Sequence, residues 1–176
     1  AFTIPHPCPM KTPFLLYIAN TYPHKNAKRL LRVFMRISEL IPHELVIVGQ
    51  PRDGEPPAHP RLKRIHYVSE SELVGLLQGC DLFVFPSLYE GFGRPVAEAM
   101  AAGARIVASN AASIPEVAGE AATYVDGTDE EALARTILDV LNETEDERKL
   151  HVLAGKERVK RFTWEECARR TLQALS

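Results

Sequence analysis

The fold is decided by residues 82–110, LFVFPSLYEGFGRPVAEAMAAGARIVASN, which alternate between strand-like and helix-like patterns. The apolar residues 82–85 are typical of a buried parallel strand, and residues 105–108 repeat that pattern. Between them, Pro95 suits the first turn of a helix that stops at Gly103. A strand, a helix and a second strand in this order predict a right-handed βαβ unit.

The same alternation extends outward from this stretch along the rest of the chain. Three capping boxes, in which Ser or Thr is followed three residues later by Glu, mark helix starts. They are Ser69 with Glu72, Thr128 with Glu131, and Thr163 with Glu166. Further strands are predicted over 14–19, 44–48, 64–68 and 122–125, and further helices over 27–40, 70–78, 129–141, 145–160 and 164–175.

Strands separated by helices predict an α/β fold, namely a Rossmann-like three-layer αβα domain with a doubly wound parallel sheet of about six strands. Residues 14–176 are predicted to form this domain. Residues 1–13 contain four prolines and no periodicity, so they are interpreted as a linker or a truncated edge. Ligands of such sheets bind at the carboxyl ends of the strands. The loops expected at that edge are 20–26, 49–61, 86–95 and 109–115.

Composition excludes several functional classes. A formal net charge of -2 gives no reason to expect a nucleic acid partner. The cysteines, Cys8, Cys80 and Cys167, form no CxxC pair, which disfavours a disulfide framework or a zinc site and indicates a reducing cytoplasmic setting. No apolar run approaches the roughly 20 residues that cross a bilayer. The histidines show no metal-ligand spacing.

The loop after residues 82–85 has the chemistry of an anion site. Gly91 and Gly93 lack a Cβ and permit positive φ, so backbone N–H groups can approach an anion closely. The helix that follows presents its N-terminus at the same edge. Glu90 precedes the glycines, and Glu98 lies in the first turn of the helix. Because carboxylates accept paired hydrogen bonds from vicinal hydroxyls, this layout suits a nucleotide sugar with its diphosphate between the two carboxylates.

At this point the sequence resembles a known family. Glu90 and Glu98 are separated by seven residues, as in the signature of retaining glycosyltransferases with the GT-B fold. The string EGFGRPVAEAMAAG, with the following IVASN and IPEVAG, is similar to the donor-binding domain of glycosyltransferase family 4. The resemblance covers about residues 14–175. It implies that the chain is the nucleotide-sugar-binding half of a GT-B enzyme.

The resemblance implies a role for each residue of the motif. The residue matching Glu98 holds the ribose hydroxyls of the donor. The residue matching Glu90 contacts the transferred sugar and is predicted to be catalytic. Gly91, Phe92 and Gly93 bring backbone amides to the sugar and the diphosphate.

Residues outside the motif complete the predicted site. Lys25, in the segment YIANTYPHKN, resembles the family's diphosphate-binding lysine and is predicted to be the second catalytic residue. Asn20 stands where many relatives carry an arginine, and Arg94 where the family usually has an apolar residue. A second phosphate cation is therefore either missing or supplied by Arg94 or His24. The last candidate donor contacts, which follow a strand at the ligand edge, are Ser109 and Asn110.

The implied function is transfer of a hexosyl group from a GDP- or UDP-linked sugar to a hydroxyl acceptor, with retention of anomeric configuration. The loop Tyr-Pro-His-Lys-Asn resembles mannosyltransferase-like members, which favours a mannosyl donor and polysaccharide biosynthesis. No cofactor and no metal are expected, because a cation and a helix dipole replace the metal and no DxD pair is present. A glycan or lipid-linked acceptor would be held by a missing N-terminal domain, so the fragment alone is expected to be inactive.

The sequence leaves alternatives open for the cellular location of the protein and for its functional class. Lys28, Arg32 and Arg36 form a basic helix face that is interpreted as solvated. The full-length enzyme is expected in the cytoplasm, where peripheral association with the inner face of the membrane is compatible with this reading. Three other classes compete: a non-catalytic nucleotide-sugar-binding module, a nucleotide-sugar 2-epimerase and a pyridoxal-phosphate-dependent phosphorylase. The EGFG loop followed by a second Glu disfavours the last two.

Overall fold

The computed structural model describes residues 2, 4–18, 22–49 and 58–175. In these ranges six strands form one sheet, and every neighbouring pair is parallel. The strands are β1 Phe14–Ile18, β2 Glu44–Val48, β3 Leu62–Ile65, β4 Leu82–Phe85, β5 Ile106–Ser109 and β6 Thr123–Val125. The predicted parallel sheet of about six strands is confirmed.

Helices follow every strand except β2 in the described part of the chain, and three of them come after β6. They are α1 Ala27–Ile37, α2 Glu70–Gly79, α3 Arg94–Ala102, α4 Ile114–Ala118, α5 Glu130–Leu141, α6 Glu145–Val159 and α7 Trp164–Leu175. Two short 3₁₀ turns lie at Pro23–Lys25 and Gly119–Ala121.

The strand order is β3-β2-β1-β4-β5-β6, so the direction of winding reverses between β1 and β4. Leu15 of β1 pairs with Leu82 of β4 at this reversal. The connections that leave the carboxyl ends of these two strands run to opposite sides and open a crevice between them, which is where doubly wound sheets bind ligands.

Two apolar layers cover the sheet, one on each face. Leu16, Phe83 and Phe85 pack in the layer that also contains α2, α3, α4 and α6. Leu15 and Tyr17 pack in the layer that contains α1 and α5. Successive residues of β1 alternate between the layers, because side chains of a strand point to opposite faces. The domain therefore has the three-layer αβα architecture predicted from the sequence.

The capping signals locate helix starts with mixed success. Ser69 Oγ accepts a hydrogen bond from Glu72 N at 3.3 Å, and Glu72 accepts one from Ser69 N at 2.8 Å, which confirms the box at α2. The predicted cap Thr128 is wrong. Asp129 caps α5 instead, because its carboxylate accepts from two N–H groups of the first turn, each at 2.9 Å.

Two predicted elements, one helix and one strand, have bounds that differ from the predicted ones by more than one residue. The helix predicted over 27–40 ends at Ile37, and residues 38–40 form a turn. The strand predicted over 64–68 is β3, shifted to Leu62–Ile65, where its pairing with β2 places Leu62 beside Leu45. Most of the predicted loop at 49–61 lies outside the described residues.

The segment before β1 lies against α2. A Cβ added to Gly75 would be 2.3 Å from Pro7 O, so only a glycine permits this close approach. The Gln78 side chain donates to Ile4 O at 2.8 Å and accepts from His6 N at 2.9 Å. These contacts order the segment, whereas the predicted domain boundary after residue 13 stays a prediction.

Helix α7 extends away from both apolar layers. Thr163 Oγ accepts from Glu166 N at 3.1 Å, which confirms the predicted start. No residue of α7 that the structure describes is buried, and the Trp164 side chain is 88% exposed. Trp164 therefore lies outside the core, although its size and aromatic character favour burial.

The basic face of α1 lies beside the start of α5. Arg32 contacts Glu130 at 2.6 Å, and Arg36 lies 3.8 Å from Glu131. These contacts give two of the basic side chains acidic partners within the chain. Over the described ranges, none of the helices has the length and apolar character needed to cross a membrane.

Candidate functional site

An ion pair lies at the crevice between the carboxyl ends of β1 and β4. Lys25 is the last residue of the 3₁₀ turn before α1, and Glu90 lies in the loop between β4 and α3. Lys25 Nζ and Glu90 Oε1 are 2.6 Å apart, and the two side chains are only 17% and 10% exposed. The ammonium lies 5.8 Å from the centroid of the Phe85 ring. The two residues predicted to be catalytic are therefore in direct contact.

Asn26, the next residue, connects three loops. Its backbone is left-handed, with a φ of 64°, and its side chain is buried. Asn26 Nδ2 donates to Pro86 O at 3.0 Å and to Gly127 O at 2.7 Å. Asn26 Oδ1 accepts from Arg29 at 2.7 Å. The position of Lys25 is thus fixed by hydrogen bonds to the ends of β4 and β6.

Three serine hydroxyls connect the same loops through backbone carbonyls. Ser87 Oγ donates to His24 O at 3.1 Å, and Ser113 Oγ donates to Glu90 O at 2.9 Å. Ser109, the last residue of β5, is fully buried and donates to Ser87 O. The loops after β1, β4 and β5 are therefore held in fixed relative positions before any ligand arrives.

Tyr17 supports the turn at Lys25 from inside the core. Its hydroxyl donates to Lys25 O at 3.0 Å. Burial, followed by the negative charge of Glu90, raises the pKa of Tyr17 well above its ordinary value, and Arg64 acts in the opposite direction. Tyr17 therefore stays protonated at neutral pH and keeps its role as a donor.

Gly91 and Gly93 give the loop an accessible backbone. A Cβ added to Gly91 would have no neighbouring heavy atom within 4 Å, so this part of the loop faces open space. Gly93 has a φ of 91°, a left-handed conformation that favours glycine, and it is the N-cap residue of α3. Pro95 has no N–H, and Val96 N donates to Gly93 O at 2.9 Å, so the N–H groups that can serve an anion here are those of Arg94 and the preceding glycine loop.

Glu98 lies one turn into α3, beside Arg94. Arg94 Nη2 is 3.4 Å from Glu98 Oε1, and the side chains are 84% and 21% exposed. Partial burial raises the pKa of Glu98, Arg94 opposes this shift, and Glu70 adds to it. A carboxylate in this state has acceptor capacity for hydroxyl donors such as those of a ribose.

Phe92 lies on the outer side of the glycine loop. The residue is 42% exposed, and its ring packs edge-on against Phe162 with the centroids 5.3 Å apart. Phe162 follows α6, and the Arg158 guanidinium lies 5.9 Å from its ring. The glycine loop therefore has a contact outside the crevice that limits its movement.

The remaining predicted contacts have different surroundings. Asn110 is exposed directly after β5, and its N–H donates to Val125 O at 3.0 Å. The Ser109 hydroxyl is occupied by Ser87 O in the interior. Contact of Ser109 or Asn110 with a donor stays a prediction, and Asn20 lies outside the described residues.

Four residues of the site were missed by the sequence analysis. They are Tyr17, Asn26, Ser87 and Ser113. A readable signal existed for Asn26, because Asn tolerates left-handed backbone and favours the position before a helix. The serines gave no such signal, since each one binds a backbone carbonyl that any residue could supply.

The charged groups at the crevice include the Lys25 ammonium, the Arg94 guanidinium and the Glu90 and Glu98 carboxylates, and none of these side chains lines either of two grooves elsewhere on the domain. A groove of about 350 Å³ lies between α1 and α5, and one of about 520 Å³ lies beside the start of α2. Among the residues with a described position, no three of His, Cys, Asp or Glu are placed together to hold a metal ion. The site is therefore assigned on charge and hydrogen bonding and not on cavity size.

Comparison with known proteins assigns the chain to a sequence family. A sequence model of the family described as Glycosyl transferases group 1 matches residues 4–156. The chain is 33% identical to the O-antigen chain mannosyltransferase B of Escherichia coli, over 92% of this chain and 45% of that protein. It is 37% identical to the MMP alpha-(1->4)-mannosyltransferase of Mycolicibacterium hassiacum, over 60% of this chain and 26% of that protein. The chain thus spans less than half the length of these relatives.

Solved structures show the same fold. Sucrose-phosphate synthase from Thermosynechococcus elongatus matches with a TM-score of 0.77 and 23% identity, over 94% of this chain and 47% of that chain. The N-terminal domain of Candida albicans trehalose-6-phosphate phosphatase matches with a TM-score of 0.76 and 17% identity, over 89% of this chain and 40% of that chain. These likenesses agree with the six-stranded parallel sheet described above.

Proposed function

Because the chain belongs to the glycosyl transferases group 1 family, we propose that it binds the nucleotide-sugar donor of a retaining hexosyltransferase. The observation that carries the proposal is the ion pair of Lys25 and Glu90 at the β1–β4 crevice, next to the glycine-capped start of α3. A cation and free N–H groups suit a diphosphate, and carboxylates suit sugar hydroxyls. The crevice combines both in one place.

In this proposal the diphosphate lies between Lys25 and the N-terminus of α3. The ammonium supplies one full positive charge, and the helix N-terminus supplies N–H donors with a positive partial charge. Glu98 accepts hydrogen bonds from the ribose hydroxyls, and Glu90 accepts them from the hexose. No metal is required, because the protein itself provides the positive charges that face the phosphates.

The chemical role of the site is electrostatic. When the bond between the anomeric carbon and the diphosphate oxygen breaks, negative charge grows on the diphosphate and positive charge grows on the sugar. Lys25 and the N–H groups of the glycine loop and Arg94 stabilise the first, and the Glu90 carboxylate stabilises the second. The acceptor hydroxyl forms the new bond with the anomeric carbon, with retention of configuration, and its proton passes to the departing diphosphate oxygen and from there to water.

The names of the relatives support a mannosyl donor. Both curated relatives described above are named mannosyltransferases, and one of them acts on the O-antigen chain. We therefore favour GDP-mannose over UDP-linked sugars, and a glycan or lipid-linked acceptor in polysaccharide biosynthesis. The acceptor would be held by residues outside the 176 of this chain. The proposal also places the full-length enzyme in the cytoplasm, associated with the inner face of the membrane.

Titration calorimetry with a panel of nucleotide sugars tests the proposal. We expect Lys25→Ala to weaken nucleoside diphosphate binding and to narrow the affinity gap to the monophosphate, because an ammonium acts mainly on the second phosphate. An equal loss for both nucleotides would contradict the assignment of Lys25. If the wild-type chain binds none of the GDP- and UDP-linked sugars, the proposed function is contradicted. Conversion of the donor to an isomeric nucleotide sugar would instead indicate an epimerase.

A further inference from the structure

Lys25 has an anionic partner within the chain. Its ammonium is 2.6 Å from the Glu90 carboxylate, and both side chains are largely shielded from water. Ser113, directly before α4, holds the Glu90 backbone, and Asn26 holds the turn at Lys25. Neither residue can withdraw far from the crevice. An arriving phosphate therefore meets a fixed carboxylate together with the cation, and the two anions must share one ammonium.

The repulsion between Glu90 and the arriving phosphate depends on the charge of that phosphate. A free terminal phosphate carries close to two negative charges near pH 7, because its second pKa is about 6. Esterification with a sugar leaves that phosphate with one charge. Repulsion from Glu90 is therefore greater for the free nucleoside diphosphate than for its sugar ester.

The sugar ester also offers a compensation that the free diphosphate lacks. When Lys25 turns to the phosphate, Glu90 loses part of its hydrogen bonding in a shielded position, which is unfavourable. The hydroxyls of a hexose can donate to the carboxylate and replace the lost interaction. A free nucleoside diphosphate has no such donor next to its terminal phosphate.

We propose that the Lys25–Glu90 ion pair lowers the affinity of this site for free nucleoside diphosphate more than for the corresponding sugar ester. This inference rests on the proposed function. The donor enters as the sugar ester and, after transfer, the nucleotide remains as the free diphosphate with its extra charge beside Glu90. The same pair that accepts the donor therefore promotes release of the nucleotide product.

The test is calorimetric titration of the chain with GDP-mannose and GDP, and with UDP-glucose and UDP. In Glu90→Gln we expect the affinity for free diphosphate relative to sugar ester to rise about tenfold, as removal of one close like charge predicts. Glu90→Asp keeps the charge and should keep a ratio near that of the wild type. Glu39→Gln is the matched control, since Glu39 also forms an ion pair, with Arg61 at 3.1 Å, beyond the end of α1.

A second ligand separates charge from sugar contacts in the unaltered chain. The β-methyl ester of GDP lacks the extra charge and has no hexose. We expect the wild type to bind this ester more tightly than GDP, and Glu90→Gln to bind the ester and GDP with equal affinity. An unchanged ratio in Glu90→Gln, with both ligands bound, would overturn this inference and leave the proposed function standing. Absence of binding to the wild type by both sugar esters and by every other GDP- or UDP-linked sugar of the panel would overturn this inference and the proposed function together.

Discussion

Glu98 combines partial burial with a cationic neighbour, Arg94, at 3.4 Å. If it accepts two hydrogen bonds from ribose, Glu98→Ala should weaken nucleotide binding by roughly 1.5–3 kcal/mol, the scale of charge-assisted hydrogen bonds. Calorimetry with ribonucleotides measures this loss, and 2′,3′-dideoxynucleotides are the control ligands that the variant should bind like the wild type. Equal ribonucleotide affinities in wild type and variant would end the assignment.

The raised pKa of Glu98 has a consequence for the unliganded chain. A carboxyl group whose pKa is higher in the folded than in the unfolded state binds its proton more tightly when folded. Its contribution to stability is present at low pH and is lost as pH rises from the ordinary glutamate value through the raised one. We expect Glu98→Gln to be more stable than the wild type near pH 7, with the difference shrinking below pH 4.5, the ordinary value. Urea unfolding across pH measures it, and a wild type as stable as the variant at pH 7 would contradict it.

Two substitutions at Asn26 distinguish the contribution of backbone strain to stability from that of hydrogen bonding. Asn26→Gly keeps access to the left-handed φ of 64° but removes the side-chain hydrogen bonds, so we expect a loss of about 2 kcal/mol of unfolding free energy. Asn26→Ala should lose about 1 kcal/mol more, because a Cβ is unfavourable at that φ. Both variants should also weaken diphosphate binding by displacing Lys25. Urea unfolding of the two variants, with Asn142→Gly as a control outside the crevice, measures these differences. Equal stability of Asn26→Gly and wild type would contradict the structural role.

At the scale of elements, the sequence predicted what depends on local chemistry. The apolar runs of β2 and β4 and the capping box of α2 are each contained in a few consecutive residues, and all three are confirmed. The predicted position of β3 is not confirmed, because this position is set by pairing of Leu62 with Leu45 across the sheet. Trp164 looked like a core residue because it is large and aromatic, yet α7 has no apolar layer beside it.

The candidate site divides in the same way. The glycines could be found from sequence because residues without a Cβ let backbone N–H groups approach an anion, and Glu90 because a carboxylate accepts hydrogen bonds from sugar hydroxyls. The direct contact of Lys25 with Glu90 could not be predicted, because it joins residues 65 positions apart through the β1–β4 reversal. Asn26 was missed for a further reason. Two of its partners are backbone carbonyls, which leave no trace in the identity of the residue that carries them.

Helix α7 should contribute little to the stability of this chain. All its residues that the structure describes are exposed or partly exposed, and its ion pairs, such as Arg169 with Glu166 at 2.7 Å, lie within the helix. Removal of residues 164–176 should therefore change the free energy of unfolding by less than about 0.5 kcal/mol. Thermal and urea unfolding of the shortened chain measure this. A loss above about 2 kcal/mol would show that α7 packs on the domain. Removal of α5, which supplies Leu133 and Ile137 to the core, is the contrasting control that should unfold the chain.

At the scale of the whole molecule, binding and transfer should separate. The chain covers 45% of the length of the O-antigen chain mannosyltransferase B that it resembles, and an acceptor-holding part is expected among the remaining residues. We therefore expect these 176 residues to bind a nucleotide sugar without transferring it. Positioning of two reactants can be worth roughly 7–11 kcal/mol of the barrier, so its loss should remove almost all transfer.

Donor turnover by a verified monomer of the chain, with a broad acceptor panel, measures this separation. Slow hydrolysis of the donor is compatible with the prediction, because water can replace the acceptor. Robust transfer to any acceptor would contradict it. Thermal stabilisation by the same donor provides the matching measurement of binding, since a ligand that binds only the folded state raises its stability.

The hydrogen bonds that hold the crevice together run from a few side chains to backbone carbonyls. Asn26, Ser87, Ser109, Ser113 and Tyr17 donate, and carbonyls at residues such as Pro86, Lys25 and Glu90 accept. Every amino acid carries a carbonyl, so substitution of an accepting residue leaves its acceptor in place. The sensitivity of this framework to mutation is thereby concentrated in the five donors. Loops grafted from related proteins should keep the crevice intact wherever those five side chains and the loop lengths are preserved. Accepting positions whose side chains have no predicted role in the site, such as Pro86, are then open to diversification for new donor sugars.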